Sequence, residues 1–185
     1  MPLKIKNKQI NAKNKILKEF LGYAIVVLAA IISATLIRIF IFEPFIVPTP
    51  SMEPKLEVGD KVVINKLAYK FGSVKRGDIA AFHYPLEGKD LVKRVIAVEG
   101  DEITLTSEGE IFINGEKISE SYLPADQNIY YVNQTVVVGE GEIFVMGDNR
   151  NNSFDSRFFG TIAEDDVFGK LAIIYWPPSR WFGIY

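Results

Sequence analysis

The organisation of the chain depends on residues 20–42, which read FLGYAIVVLAAIISATLIRIFIF. At ~1.5 Å per residue, a helix of this length extends about 35 Å, enough to cross a hydrocarbon core of about 30 Å. Arg38 is the one charged residue, and it lies near enough to the end of the run to reach the interface. A helix that is apolar on all sides needs lipid or a large protein around it, so this run predicts a transmembrane helix.

A cleaved secretory signal is the alternative for this segment. Such a signal has a shorter apolar region and a small-x-small cleavage site, whereas Glu43, Pro44 and Phe45 follow here. Residues 1–19 contain six lysines and one glutamate, and positive flanks of membrane helices stay in the cytoplasm. We therefore expect a basic cytoplasmic segment at residues 1–19, an uncleaved transmembrane anchor at residues 20–42 and an extracytoplasmic domain at residues 43–185.

The composition excludes several kinds of site. The 185 residues include no cysteine and one histidine, His83, so disulfides, cysteine nucleophiles, thiolate metal sites and histidine metal cages are excluded. A Ser-His-Asp triad would have to use His83. The net charge of -2 gives no general reason to bind nucleic acid.

Residues 43–185 have the pattern of a β-rich domain. Residues 110–118, EIFINGEKI, predict a hairpin because Asn114 and Gly115 tolerate the positive φ of a two-residue turn. Further strands are predicted at residues 132–138, 142–146 and 170–176, and four Gly-Asp pairs stand at the boundaries of apolar runs. The predicted fold class is mainly β, with one transmembrane helix followed by a partly barrel-like domain.

Residues 48–54, PTPSMEP, form the first segment with chemical potential. Its three prolines restrict the backbone, and Pro50 and Pro54 favour extended conformations at Thr49 and Glu53. Ser51 is therefore held on a stiff loop, which suits a nucleophile because its attack geometry is set in advance. A proline-rich stalk leaving the membrane is the alternative.

Residues 90–98, DLVKRVIAV, predict a strand with one cation on each face, Lys93 and Arg94. A lysine on the buried face would be desolvated, which lowers its pKa and allows the neutral amine to accept a proton. The alternative is a strand whose cations reach water, and the sequence does not say which face is buried.

Residues 147–157, GDNRNNSFDSR, form the third segment. Asp, Asn, Gly and Ser favour turns, so a solvated loop is the plain interpretation. The alternative is that its two Arg and two Asp form an ion-pair network within the loop and hold Ser153 or Ser156 at a site.

Together these segments resemble the bacterial type I signal peptidases. The Ser-Met-x-Pro loop beyond a membrane anchor, the Lys-Arg strand before a Gly-Asp pair, and the GDNRNNSFDSR block occur in that family's order and rough spacing. Residues 74–85, VKRGDIAAFHYP, add a lesser block, and the resemblance covers residues 4–176. The short chain with one anchor is similar to the small, single-span members.

The resemblance implies a membrane-bound serine endopeptidase that removes signal peptides from exported preproteins after small-x-small motifs. It assigns Ser51 as the nucleophile and Lys93 as the general base of a Ser-Lys dyad. Ser153 corresponds to the serine that hydrogen-bonds the lysine amine, and Thr49 to a hydroxyl that assists the oxyanion hole in some relatives. Pro50 replaces a more usual small residue and brings no N–H donor. The other corresponding residues are the supporting Asp155, Arg157, Asp148 and Arg150, and the substrate-pocket residues Val47, Pro48 and Val92.

The expected partners are signal-peptide-bearing preproteins and the lipid bilayer, with no nucleic acid, no metal and no cofactor. We expect the protein to be active as a monomer in the bacterial cell membrane, with its catalytic domain on the outer face. Two alternatives remain open from the sequence. One is a peptidase dedicated to a single precursor, and the other is a non-catalytic anchored β module that binds preproteins or envelope components.

Overall fold

The computed structural model describes residues 2–86, 88–124 and 128–181, and the chain divides between Ile41 and Phe42 into two compact units. The first unit is a single helix, α1, at Pro2–Phe40. Its apolar part, Leu17–Phe40, has 24 residues and a mean hydropathy of 2.5, and none of it is buried against protein. This length and composition suit a bilayer span, and the helix ends two residues before the predicted end of the anchor.

The second unit is mainly β, which confirms the predicted fold class. The strands predicted at residues 132–138 and 142–146 are found at Gln134–Val137 and Glu142–Met146, and the strand predicted at residues 170–176 begins three residues earlier. The strands of the second unit are β1 Phe42–Ile46, β2 Lys61–Asn65, β3 Ile79–Tyr84, β4 Lys89–Val98, β5 Glu102–Leu105, β6 Ile111–Ile113, β7 Glu116–Lys117, β8 Gln134–Val137, β9 Glu142–Met146, β10 Ile162–Ala163 and β11 Val167–Trp176. The helical segments are α2 at Ser156–Phe159 and short 3₁₀ turns at Pro50–Met52, Glu164–Asp166 and Pro178–Arg180.

The larger sheet has seven strands in the order β1-β2-β11-β3-β4-β9-β10. Strand β4 is an interior strand, which pairs antiparallel with β3 on one side and with β9 on the other. Its register with β9 places Arg94 opposite Met146. Residues 147–157 leave the end of β9, so they begin beside Lys93.

The smaller sheet has four strands in the order β7-β6-β5-β8. Strands β6 and β7 form the predicted hairpin. Asn114 and Gly115 have φ values of 53° and 81°, as a two-residue hairpin turn requires. Sequence alone was sufficient here because the turn chemistry is local.

The core packs against both faces of β4. Val92 belongs to one apolar cluster with Val47, whereas Val95, on the opposite face of the strand, belongs to another cluster with Phe82. Residues 92–97 are all buried. Over this stretch neither face of the strand is exposed to solvent, which answers the question that the sequence left open.

Candidate active site

The loop that carries Ser51 follows β1 and has the backbone conformation that its prolines predict. Thr49 and Glu53 are both extended, with ψ values of 154° and 143°, and the 3₁₀ turn Pro50–Met52 lies between them. Ser51 is 8% exposed and Met52 is 2% exposed, so the turn is packed into the domain. A stalk would be exposed along its length, which excludes that alternative for these residues.

Lys93 reaches Ser51 from the centre of the larger sheet. The Nζ of Lys93 donates a hydrogen bond to the Oγ of Ser51 over 2.6 Å, although 42 residues separate the two in sequence. Lys93 is 3% exposed. A hydroxyl and a buried amine at this distance are arranged for proton transfer between them.

Burial lowers the pKa of the Lys93 amine from 10.5 to about 8. The carboxylates of Asp155 and Asp148 raise this pKa, and the guanidinium of Arg157 lowers it. Desolvation is the largest of these effects, so roughly a tenth of the amine is neutral at pH 7. A neutral amine is the form that can take the Ser51 proton.

Thr49 lies beside the same hydroxyl. Its Oγ1 is 3.3 Å from the Oγ of Ser51, within hydrogen-bond distance, and either atom can be the donor. The Thr49 hydroxyl is thus close to the point of attack, as the resemblance predicts.

The start of the block at residues 147–157 is hydrogen-bonded to residues 48–54, the loop of the predicted nucleophile Ser51 (the nucleophile loop). The N–H of Asn149 donates to the carbonyl oxygen of Ser51 over 3.0 Å, and its side-chain Nδ2 donates to the carbonyl oxygen of Pro50 over 3.1 Å. Gly147 passes so close that a Cβ there would collide with the Ser51 carbonyl oxygen and with Ser153. The glycine is required here by contact with the nucleophile loop.

Asp155 and Arg157 form a fixed ion pair, as predicted for this block. Asp155 is fully buried, and it accepts hydrogen bonds from Nε and Nη2 of Arg157, both over 2.8 Å. It also accepts from the N–H of Gly147 over 2.9 Å and caps α2 through the N–H of Arg157. Asp155 therefore joins the end of β9 to α2.

Asp148 and Arg150 do not pair within the loop, which corrects the predicted ion-pair network. Asp148 instead accepts two hydrogen bonds from Arg94, over 2.7 and 2.6 Å. Arg150 pairs with Glu120, and it also donates to Tyr131 over 2.6 Å and to the carbonyl oxygen of Gly147 over 3.1 Å. The physical reason is that the loop packs against two other parts of the domain. Strand β4 supplies the partner of Asp148, and the segment between β7 and β8 supplies the side-chain partners of Arg150.

Ser153 does not make the hydrogen bond to the Lys93 amine that the resemblance predicts. Its buried Oγ has no hydrogen-bond partner among the residues that the structure describes, since the Lys93 amine is directed to Ser51 instead. Ser156, the other serine considered, accepts a hydrogen bond from the N–H of Val145 over 2.9 Å and has a structural role at the start of α2.

A small apolar pocket adjoins the dyad, with a cavity volume of ≈ 40 Å³. The three residues predicted to contact substrate, Val47, Pro48 and Val92, all line it, together with both members of the dyad. A small apolar pocket suits small apolar side chains better than large or charged ones. Its other lining residues are Phe45, Thr49, Met52, Leu56, Asp90 and Leu91.

Three residues of the site were missed by reasoning from the sequence. Arg94 was seen only as a cation on a strand, although its position next to Lys93 is a signal that it shares the same buried environment. Asn149 stands inside the quoted block, where turn propensity masked its contacts. Glu120 has no local signal, because it pairs with a residue 30 positions away in sequence.

The chain is similar to several known proteins. A family model described as "Signal peptidase, peptidase S26" matches residues 20–176. The probable signal peptidase I-1 of Synechocystis sp. is 37% identical over 164 residues, which cover 83% of this chain and 81% of that protein. The signal peptidase I of Bacillus caldolyticus is 38% identical over 161 residues, which cover 80% and 87%. A crystal structure of a signal peptidase I from Enterococcus faecalis is 32% identical, covering 55% of this chain and 98% of that chain with a TM-score of 0.48. The chain therefore belongs to the signal peptidase family, peptidase S26.

Proposed function

We propose that this protein removes N-terminal signal peptides from exported preproteins after small-x-small motifs, with Ser51 as nucleophile and Lys93 as general base. The observation that carries the assignment of the dyad is the 2.6 Å hydrogen bond between the Lys93 amine and the Ser51 hydroxyl. Family membership supports the reaction class, and the buried amine supports the mechanism.

Acylation begins when the Ser51 Oγ attacks the scissile carbonyl carbon. Lys93 takes the hydroxyl proton and becomes an ammonium, which then donates that proton to the leaving amine. The negative charge that develops on the substrate oxygen is stabilised by the Ser51 N–H and by the Thr49 hydroxyl. Loss of one such donor typically costs a factor of about 10² to 10³ in rate.

Deacylation uses the same amine. Once Ser51 is esterified, the neutral Lys93 is free to take a proton from water, which attacks the ester carbonyl. We assign Ser153 the role of orienting the amine at this stage, because its hydroxyl is buried beside the nucleophile loop and has no other partner. Asp155 and Arg157 support this arrangement from behind, and Asp148 and Arg150 fix the block that carries it.

Substrate selection follows from the pocket. Val47, Pro48 and Val92 present apolar surface around a cavity of ≈ 40 Å³, and this volume supports small residues at the cleavage motif. The observed lining therefore agrees with a substrate of the small-x-small type.

The protein acts at the membrane surface, with residues 1–19 in the cytoplasm and the catalytic domain on the outer face. The six N-terminal lysines support this orientation. Ser51 follows Phe42 by nine residues, and an extended chain of that length spans at most about 30 Å. The dyad thus remains near the bilayer, where the apolar segment of a preprotein ends. We propose that it works as a monomer, since both members of the dyad and the pocket come from one chain.

The test is cleavage of a purified preprotein by the purified protein in detergent. Ser51→Ala and Lys93→Ala should each reduce cleavage by at least about 10³-fold, given the usual contribution of a nucleophile and its base. The matched controls are Ser107→Ala and Lys117→Ala, since Ser107 is exposed with its hydroxyl bonded to the neighbouring Glu108, and the Lys117 side chain is 57% exposed. These two should cleave at the parent rate.

Other outcomes would redirect the assignment. Cleavage of one dedicated precursor, with generic preproteins untouched, would favour the narrow peptidase. A parent protein that binds preproteins but cuts none of them would favour the non-catalytic module. Cleavage that survives Lys93→Ala would remove Lys93 from the mechanism.

A further inference from the structure

Asn149 makes two hydrogen bonds to consecutive carbonyl groups of the nucleophile loop. Its N–H donates to the Ser51 carbonyl oxygen over 3.0 Å, and its Nδ2 donates to the Pro50 carbonyl oxygen over 3.1 Å. The carbonyl of Asn149 in turn accepts the N–H of Asn152 over 3.0 Å. Asn149 is therefore held by a hydrogen bond within its own block and donates two hydrogen bonds to the nucleophile loop.

The second of these bonds controls the direction of the Ser51 N–H. The Pro50 carbonyl and the Ser51 N–H belong to one peptide group, which is planar and trans, so the C=O and the N–H point in opposite directions. A donor that holds the carbonyl oxygen therefore fixes the orientation of the N–H on the opposite edge. That N–H is the backbone donor of the proposed oxyanion hole, and Pro50 has no N–H to share the task.

Only a donor can occupy the position of the Asn149 side chain. The Pro50 carbonyl oxygen has two lone pairs, and one is used by the N–H of Glu53 over 3.1 Å. The amide Nδ2 of Asn149 fills the other. Without this amide, the Pro50 carbonyl oxygen would lose its hydrogen bond to the block at residues 147–157 and would keep the one from Glu53.

We infer that Asn149 is a positioning residue for the oxyanion hole, because its side-chain amide fixes the peptide group that supplies the Ser51 N–H. This inference rests on the proposed function, in which that N–H meets the negative oxygen of the tetrahedral intermediate. In this role the Asn149 side chain does not touch the substrate, and it acts through the Pro50–Ser51 peptide group.

The experiment compares Asn149→Ala and Asn149→Asp with the parent in full-length protein, using one peptide substrate at a pH above the titration of Lys93. The aspartate keeps the shape of the side chain but its carboxylate cannot donate. Both variants should lower kcat by about 10- to 100-fold, and KM should change less than about twofold, since a misdirected oxyanion donor affects the transition state. The acid limb of the pH profile of Asn149→Ala should stay at the parent position.

Two inhibitors with the same peptide sequence distinguish a misdirected Ser51 N–H from general damage to the binding site. A peptide boronic acid forms a tetrahedral anionic adduct on the Ser51 Oγ, whereas the matching peptide amide only occupies the pocket. In both variants the inhibition constant of the boronic acid should rise by the same factor as kcat/KM falls, and that of the amide should not change. If Asn149→Ala fails to fold, the isosteric Asn149→Asp carries the test.

Asn151→Ala is the matched control. Asn151 also donates through its side-chain amide to a backbone carbonyl, that of Asn128, over 3.1 Å, away from the nucleophile loop. This variant should match the parent in kcat and in both inhibition constants. Parent-like kcat in the Asn149 variants, or equal weakening of both inhibitors, would overturn the inference while leaving the peptidase assignment intact. Failure of the parent itself to cleave would instead count against the proposed function.

Discussion

The pKa of the Lys93 amine depends on a balance between burial and charges of both signs. Burial lowers the pKa most, Asp155 raises it, and Arg157 lowers it. Arg157 donates two hydrogen bonds to Asp155, so the carboxylate and the guanidinium largely cancel at the distance of the amine. The guanidinium of Arg157 thereby offsets the rise in the pKa of Lys93 that the Asp155 carboxylate causes.

Arg157→Met should expose Lys93 to the uncompensated charge of Asp155. Because an opposite charge favours the ammonium, the pKa of Lys93 should rise, and the acid limb of kcat/KM should move to higher pH by about one unit. Activity should therefore fall about tenfold at pH 7 and much less on the alkaline plateau. The pH dependence of peptide cleavage measures this, and Arg76→Met, which removes a cation paired with Asp101 instead, is the control. An equal loss at every pH would contradict the electrostatic role.

At the scale of elements, the nucleophile loop and the block at residues 147–157 make contact at the end of β9. Gly147→Ala should push the Ser51 carbonyl away, because the new Cβ would collide with it. We expect kcat to fall by at least about tenfold, since small displacements of reacting groups are costly.

Gly160→Ala is the control for that substitution. Gly160 has a φ of 84°, and a Cβ there would meet nothing within 4 Å. This variant should lose about 1 kcal/mol of stability through backbone strain but keep its kcat. Similar kcat losses in both variants would show that general destabilisation, and not the contact with Ser51, explains the effect of Gly147→Ala.

The Arg94–Asp148 pair ties the block to β4. The two side chains are 7% and 0% exposed, so Asp148→Ala leaves a buried guanidinium without its carboxylate. We expect the free energy of unfolding to fall by about 3–5 kcal/mol. Lys117→Ala, which breaks an ion pair that is 57% and 37% exposed, should change it by less than about 1 kcal/mol. Denaturant titration in detergent compares the two, and equal effects would contradict a structural role for the buried pair.

How well the sequence predicts an element depends on the range of the interactions that form it. The Asn114–Gly115 turn and the extended backbone at Thr49 and Glu53 follow from local backbone preferences, so both were predicted correctly. The burial of both faces of β4 depends on neighbours from distant parts of the chain, and alternation along one strand does not encode them. The pairing of Arg150 with Glu120 was not predicted for the same reason. The Asp155–Arg157 pair was predicted, because the two residues are two positions apart.

At the scale of the molecule, the two compact units divide the work between membrane attachment and chemistry. Within the second unit, β11 pairs with β2, so the end of the domain closes against its beginning. The sequence predicts the division at the end of the anchor, but not this strand order, which depends on long-range pairing.

A chain of residues 42–185 should therefore fold without α1. We expect it to cleave a soluble peptide with a kcat/KM within about threefold of the full chain in detergent, since the dyad and pocket lie within the second unit. Cleavage of a preprotein in lipid vesicles should fall much more, because the enzyme is no longer held at the same surface as its substrate. Circular dichroism and the two cleavage assays measure these properties, and an unfolded fragment would contradict the division.

The pH dependence of kcat/KM for the parent enzyme tests the central claim most directly, because it reports the free enzyme's base. The neutral amine is the active form, so activity should rise with pH, reach half its maximum near pH 8 and level off above it. His83→Ala should give the same profile, since His83 is exposed and paired with Asp90 outside the dyad. A midpoint near 6.5 that His83→Ala abolishes, or a rise that begins only near the ordinary pKa of lysine, would contradict a buried neutral Lys93 as the base.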